Sequence, residues 1–455
     1  MDHQRDAVEW IQRVGRGLLG DEPGLGKSRT AIEAFDGGRV LVVAPALIVN
    51  SGTWSHEINR WADYPEGFTV APYSRLNQRV KTAGGGTSPV GQVRPEYAGE
   101  FDALVVDEAH YTKGRKTSWT SAVEKIASRS GAVLELTGTP VPNWAHELFT
   151  ILRVLHPEKA VPGGEYGSFW RWAFTWFERV PDRFSRYKLG GLLECRPSCA
   201  ERSATDPCEH YQEFTDANLG SKFLRRLRDD VLTGLPTLTE QVIEVPMAGK
   251  TATEYRRMRS KYLAEVDDRS IVAWTVGERN VLLDLITVSP WFLTQEGEPT
   301  GGKLDRLRFD LESRSRPTLV FAHHRVVVEA CHRVAASLGA RSAYVHGGVD
   351  SRTAAGHLKD FREGRLDVLV GSLSMLSEGL TLTEADMVIF VEKSFRPSVN
   401  EQALRRVHRI GQVRPVTALD YVTPKSVDAG KREALAGKLD HQIRVLSAAE
   451  FKELL

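Results

Sequence analysis

Short β-branched runs alternate with helical segments along two stretches of the chain. The first stretch runs from the N-terminus to about Pro157 and holds RVLVVAPA, FDALVVDEAH and AVLELTGTP. The second runs from about Gly301 to the C-terminus and holds TLVFAHH, SAYVHGG, LDVLVGS and DMVIFVEKS. Such alternation predicts parallel sheets flanked by helices. In both stretches the chemically distinctive residues follow directly after a strand, at the sheet edge where open α/β folds bind ligands. Residues 158–300 are different: rich in aromatic and charged residues, with few strand signals. GSFWRWAFTWFERV carries six aromatics and reads first as a helix burying an aromatic face, second as a base-stacking platform. SKFLRRLRDDVLTGLP reads as a basic amphipathic helix ended by Gly234 and Pro236. TATEYRRMRSKYLAEVDD reads as another solvated helix. The expected division is an α/β unit over 1–157, a helical insertion and linker over 158–300, and a second α/β unit over 301–455.

Composition narrows the class. The chain has 455 residues, 41% apolar and 26% charged, which excludes disordered, collagenous and disulfide-scaffold proteins. Sixty basic residues face 59 acidic ones. That balance excludes a globally basic nucleic-acid coat, while leaving room for a local basic groove. The cysteines, Cys195, Cys199, Cys208 and Cys331, are few and unevenly placed, as in a reducing compartment. The opening MDHQRDAVEW carries charges where a signal peptide needs an apolar core. The longest apolar run, Val40 to Val49, is broken by Pro45 and falls far short of the ~20 residues that span a bilayer. A soluble cytoplasmic protein is expected.

Four segments carry chemistry. GDEPGLGKS, residues 20–28, is a glycine-rich loop opening a helix, which offers backbone N–H groups and a positive dipole end to phosphates. Gly24 and Gly26 shape the loop, Lys27 would reach the β- and γ-phosphates, and Ser28 would hold Mg²⁺. The strict pattern wants glycine where Asp21 stands. VVDEAH, residues 105–110, puts two carboxylates at a strand end, where burial is costly unless a cation or hydrogen bonds use them. Asp107 would bind Mg²⁺ and Glu108 would orient the attacking water. LTGTP, residues 136–140, places the hydroxyls of Thr137 and Thr139 at a third strand end. In QALRRVHRIGQ, residues 402–412, a helix would put Arg406 and Arg409 on one face, suiting an arginine-finger role on a γ-phosphate.

In this order, GDEPGLGKS, DEAHYTKGRKT, LTGTPVPN and QALRRVHRIGQ resemble the Swi/Snf-type family of superfamily-two helicase-like ATPases, the HRIGQ ending being especially specific. The resemblance runs from DHQRDAVEWI to about Tyr421. FLRRLRDDVLTGLP and TLVFAHHRVVVEA look most like the annealing-helicase branch. The resemblance implies two RecA-like lobes with helical protrusions between the motif sets. Gln4 matches the glutamine that reads adenine. Lys27, Ser28, Asp107 and Glu108 match the phosphate, magnesium and water positions. Gln402, Arg406 and Arg409 match the last motif, with both arginines sensing the γ-phosphate. APALIVNSGTWSHEINRW matches the first DNA-tracking motif. Gly379, Leu380 and Thr381 in SMLSEGLTLTEADMVIF match the motif near the lobe interface, and HGGVDSRTAAGHLKDFREG, from His346, matches a further segment. Thr381, Gly379 and His346 are the nucleic-acid candidates. Pro23 departs from the family pattern without an expected loss of ATP binding, and Lys113-Gly114 stands where the family has Lys-Asn.

The implied activity is ATP-dependent translocation on duplex DNA, with ATP and Mg²⁺ required, weak sequence preference, and remodelling or re-annealing of branched DNA in view. A strand-separating helicase, or the motor of a restriction or defence complex, is the alternative enzyme. An ATP-gated DNA clamp without turnover is the alternative of another class. A monomer is the family default, and a bare motor of this length points to a bacterial or viral source. A separate expectation concerns Cys195, Cys199, Cys208 and His210, within 195–210. Three thiolates and an imidazole are a ligand set for a structural Zn²⁺, although the spacing matches no common finger.

Overall fold

The computed structural model describes residues 1–50, 52–81, 87–138, 141, 144–181, 187–193, 208–231, 234–266, 269–313, 317–376, 382–409 and 411–435. Two compact units divide the chain, one over Met1–Thr233 and one over Gly234–Gly437. The stretch 158–300 is therefore shared between them and supplies a strand to the sheet of each.

In the first unit a six-stranded sheet runs in the order Phe223–Leu224, Arg16–Leu19, Ala132–Leu136, Ala103–Asp107, Val40–Ala44, Phe68–Pro72. Every pair in it is parallel. Val40–Ala44 is buried along its whole length, as a parallel strand covered on both faces must be. One face packs on Trp10, Ile32, Trp54 and Ile58 of the helices Asp2–Val14, Lys27–Phe35 and Thr53–Trp61. The second unit repeats the plan, in the order Leu238–Glu244, Val416–Val422, Met387–Phe390, Thr318–Ala322, Val368–Ser372, Ser342–Val345, again all parallel. The α/β architecture with two parallel sheets is as expected from the run pattern. Among the described residues, no helix is long and apolar enough to cross a membrane.

Three readings of local structure are corrected. SKFLRRLRDDVLTGLP does not form one basic helix: Phe223–Leu224 is a strand and helix resumes only over Arg228–Val231, because its arginines are drawn into the glycine-rich loop described below. The aromatic segment is helical over Phe169–Trp176 and then turns into a hairpin strand, Phe177–Pro181. The solvated helix Gly249–Lys261 is followed by the strand Leu263–Val266.

One core position is chemically out of place. Glu135, in register with Leu18 and Val106 on the neighbouring strands, is fully buried, and neither carboxyl oxygen meets a hydrogen-bond partner among the described residues. Burial pushes its carboxyl well above the ordinary range, so the folded protein holds it protonated. In the unfolded chain it ionises from about pH 4.3 upward. Its contribution to stability is thus least unfavourable below that pH and worsens as pH rises toward the folded-state value. Glu135→Leu should raise stability at pH 7 by roughly 1–3 kcal/mol and flatten this part of the pH dependence. Thermal denaturation from pH 4 to 8 checks it; an unchanged or lowered midpoint would show that the carboxyl has a partner worth keeping.

Candidate nucleotide site and second-unit motifs

Three adjacent strands of the first sheet, Arg16–Leu19, Ala132–Leu136 and Ala103–Asp107, end in the glycine-rich loop, LTGTP and DEAH. The parallel sheet therefore delivers all three motifs to one edge. Gly24 and Gly26 adopt φ of 100° and 81°, a region that glycine enters at little cost, and Gly26 caps the helix Lys27–Phe35. A Cβ on Gly26 would fall 2.4 Å from the Gln4 side-chain nitrogen. Gln4 is buried against the loop, with Nε2 donating to the Gly26 carbonyl at 3.4 Å. Its Oε1 is buried without a partner among the described residues, an acceptor that fits a base amino group. The Lys27 ammonium donates to the carbonyls of Asp21 (2.5 Å) and Glu22 (3.3 Å). Burial lowers its pKa, while Glu108, Asp21 and Asp107 pull it back up.

Asp21 explains its own departure from the strict loop pattern. Its carboxylate is buried and accepts from the Arg226 backbone N–H at 3.0 Å, from Nε at 3.1 Å, and from Nη2. Arg226 also donates to the His3 carbonyl. Gly20 N–H donates to Leu224 O at 2.7 Å, and Arg228 N–H to the Glu22 carboxylate at 3.1 Å. The loop is thus fixed from behind by the segment 223–228, more than 200 residues away in the chain. Arg226→Ala should leave Asp21 buried beside an empty site and cost about 3–5 kcal/mol, read as a lower unfolding midpoint of the first unit together with weaker ATP binding. Arg226→Lys should recover only part, since an ammonium lacks the two-pronged geometry. A midpoint unchanged in Arg226→Ala contradicts the assignment. Pro23 has a structural account as well: a Cβ on Gly138 of LTGTP would lie 2.8 Å from its ring, so proline and glycine pack where the two motifs touch.

Asp107 is oriented by donors on both oxygens, Trp54 Nε1 on Oδ2 at 2.8 Å and Glu108 N–H on Oδ1 at 3.0 Å. Tyr73 O–H donates to its carbonyl at 2.7 Å. Burial and the neighbouring Glu108 raise the Asp107 pKa, against the Trp54 bond and Lys27. Glu108 sits at φ 51°, ψ 53°, a left-handed conformation uncommon outside glycine. Its Oε2 lies 3.3 Å from His110 Nδ1, which in turn meets Thr137 Oγ1 at 3.2 Å. The acidic motif and LTGTP are joined by that contact. Lys27, Asp107 and Glu108 thus converge at one sheet edge, with Ser28 in the first turn of the helix Lys27–Phe35, a charge arrangement that fits a magnesium–nucleotide: an ammonium, two carboxylates and the N-terminus of a helix.

The second unit differs from expectation in one respect. The helix Pro397–Leu404 stops before the arginines, so Arg406 and Arg409 lie on the turn beyond it and do not share a helix face. Gln402 is buried in the last turn of that helix, and Arg406 is buried too. Gln412 knots the turn: Nε2 donates to the carbonyls of Thr383 (3.1 Å) and Ala385 (2.8 Å), and Oε1 accepts from the N–H groups of Val413 and Arg414. His346 is buried, with Nδ1 accepting from Gly348 N–H and Nε2 facing Glu329, each at 3.0 Å. Both ring nitrogens are used within the unit, so the ring braces its turn. In TLVFAHH, Glu392 accepts from the N–H groups of His323 and His324 and pairs with His324 Nδ1 at 2.8 Å. Burial opposes charge on His324, but Glu392 raises its pKa overall. Gly379 and Thr381 fall outside the described residues, as do Cys195 and Cys199. Cys208 Sγ lies 3.7 Å from His210 Nδ1, and among the described residues no group of three or more His, Cys, Asp or Glu could hold a metal.

Residues 92–287 match the SNF2-related domain, and residues 302–411 match the helicase conserved C-terminal domain. The chain belongs to the Swi/Snf-type family of superfamily-two helicase-like ATPases. The two domains mark a DNA-dependent ATPase of that superfamily. Among relatives, the DNA annealing helicase and endonuclease ZRANB3 of Homo sapiens is 27% identical over 425 residues, covering 90% of this chain and 37% of that protein. The SWI/SNF-related matrix-associated actin-dependent regulator of chromatin subfamily A-like protein 1 of Xenopus laevis is 28% identical over 469 residues, covering all of this chain and 44% of that protein. The chain spans less than half the length of these relatives. The Sulfolobus solfataricus SWI2/SNF2 ATPase core in complex with dsDNA aligns over 100% of this chain and 94% of that one, with 18% identity and a TM-score of 0.39. Sequence reasoning missed Trp54 and Arg226 as groups that hold the site. Both stand in segments already marked for their family likeness, but a tryptophan and an arginine give no sign in sequence of which carboxylate they will meet.

Proposed function

We propose that this Swi/Snf-type ATPase is a translocase that spends ATP hydrolysis on movement along double-stranded DNA and so remodels or re-anneals branched DNA. The observation that carries the ATP half is the meeting of Lys27, Asp107 and Glu108 at one sheet edge, with Lys27 feeling both carboxylates. The DNA half is supported by the family and by the annealing-helicase name of one relative. Gln4 would read the base, while Lys27 and the N-terminus of the helix Lys27–Phe35 would neutralise the phosphates. Ser28 and Asp107 would hold Mg²⁺, which when bound neutralises phosphate charge. Glu108 would orient the attacking water for in-line displacement. Arg406 and Arg409 would complete the site from the second unit when the units close, so that nucleotide favours closure and phosphate release favours opening. Alternating grip on the phosphates would give stepping with weak sequence preference and strong salt dependence.

The test is ATP turnover with duplex, single-stranded and forked DNA at two salt concentrations, alongside a strand-displacement assay. Duplex-stimulated, salt-sensitive turnover without displacement of a long strand is expected. Displacement would make the protein a strand-separating helicase, and nucleotide binding without turnover would make it a clamp.

A further inference from the structure

The helix Phe169–Trp176 has two aromatic faces. One is core: Trp172 is 2% exposed and packs with Phe149, Phe177 and Phe214. The other faces solvent. Trp170 is 47% exposed, and Phe174, one turn along, lies against it with ring centroids 5.3 Å apart. Two guanidiniums flank this pair. Arg179 lies 3.8 Å over the Phe174 ring, and Arg115 lies 3.3 Å over Phe169 and 5.7 Å from Trp170. Burial of the helix does not require Trp170, since Trp172 and Ala173 already supply the apolar stripe. Among the described residues, Glu147 and Glu178 are directed elsewhere. Glu147 is paired with Lys113 at 3.7 Å. Glu178 and Val180 turn together toward Gly190 across the hairpin, whereas Arg179 turns to Phe174.

We propose that Trp170, backed by Phe174 and flanked by Arg115 and Arg179, forms a platform on which unpaired bases of single-stranded DNA stack. A half-exposed indole beside guanidiniums offers stacking to the base and charge to the phosphates on either side. Ring faces do not read base edges, so the platform tolerates any sequence, in keeping with a motor that tracks phosphates. A duplex hides its base faces within the stack, and the ligand is therefore the unpaired arm or gap of a branched molecule. Arg115 stands on the chain segment leading out of the acidic motif, which brings that segment against the platform. This inference rests on the DNA reading and deepens it by naming the unpaired arm as a ligand in its own right.

Binding is measured by fluorescence anisotropy at fixed salt, with oligo-dT, a gapped fork and a blunt duplex as probes. Trp170→Ala should weaken oligo-dT and gapped-fork binding by about 5- to 150-fold, with the blunt duplex as the unaffected reference. Trp170→Phe should restore most of the loss, and Arg115→Gln should weaken the same two probes. Iodouridine placed in the single-stranded arm should photocrosslink to Trp170 or Phe174. Equal binding of oligo-dT by wild type and Trp170→Ala, or crosslinks that map only elsewhere, would overturn the platform and leave the patch as a protein-docking face. That failure is distinct from failure of the motor reading, which would show as absent duplex-stimulated turnover in the wild type.

Discussion

Glu108→Gln is expected to bind ATP with near-normal affinity and to lose DNA-stimulated turnover by about 10²–10⁴-fold. The substitution keeps the shape of the side chain and removes only its charge and basicity. Glu108 is presented by a left-handed backbone conformation that the surrounding bonds enforce: its own N–H donates to Asp107, and its carbonyl accepts from Tyr111 N–H at 2.9 Å. Strain of this kind is retained where presentation of a group matters. The phosphate-binding parts, Lys27 and the loop glycines, stay in place, so binding and chemistry should separate. Filter binding of ATP alongside phosphate release reads the two. Full turnover in Glu108→Gln would remove the carboxylate from the role of orienting water.

Arg409→Ala should likewise bind ATP while losing about 10³–10⁵-fold in DNA-stimulated hydrolysis. The arginine is carried by a turn that hydrogen bonds tie to its surroundings. Leu382 N–H donates to the Arg406 carbonyl at 2.8 Å, His408 Nε2 meets Pro236 O at 2.7 Å, and the Gln412 amide spans the loop. Truncation of Arg409 leaves these bonds in place, and the unfolding midpoint, measured alongside turnover, separates a lost γ-phosphate contact from a lost turn. Arg409→Lys should recover little, because a point charge does not reproduce a planar fork on phosphate oxygens. Stopped-flow ATP binding with steady-state turnover on duplex DNA checks both statements. Unimpaired turnover in Arg409→Ala would exclude a γ-phosphate role.

DEAH and LTGTP were legible because each lies at the end of an apolar strand run, whereas GDEPGLGKS and QALRRVHRIGQ were legible from their own residues. Val40–Ala44, Ala103–Asp107 and Thr318–Ala322 are buried along nearly their whole length and read as such from their residues. Edge strands were not legible. Phe223–Leu224 has two residues, too few to show a period, and Leu238–Glu244 is mostly exposed, so its polar residues mask it. The arginine-rich segment before it misled for a different reason. Helical spacing of Arg225, Arg226 and Arg228 is a local signal, whereas the groups that claim them, Gly20 O, Asp21 and Glu22, are distant in sequence. Tertiary pairing overrode propensity there. The same holds after Leu404, where the Gln412 side chain and Gly411 at φ 100° favour a knotted turn over a longer helix. Among site residues, Lys27, Asp107 and Glu108 could be named from their motif, but the ring of His346 could not be placed, because its engagement by Glu329 and Gly348 depends on the fold of the turn.

The central claim is that the phosphate loop of the first unit and the arginine turn of the second close on one nucleotide. Energy transfer between fluorophores carried at exposed Arg5, beside the loop, and exposed Val413, beside the turn, measures that approach directly. In the Glu108→Gln protein, ATP with duplex DNA should raise the transfer efficiency, and the Arg409→Ala substitution should reduce that rise. Efficiency that stays at its nucleotide-free value at saturating ATP and DNA would contradict the account.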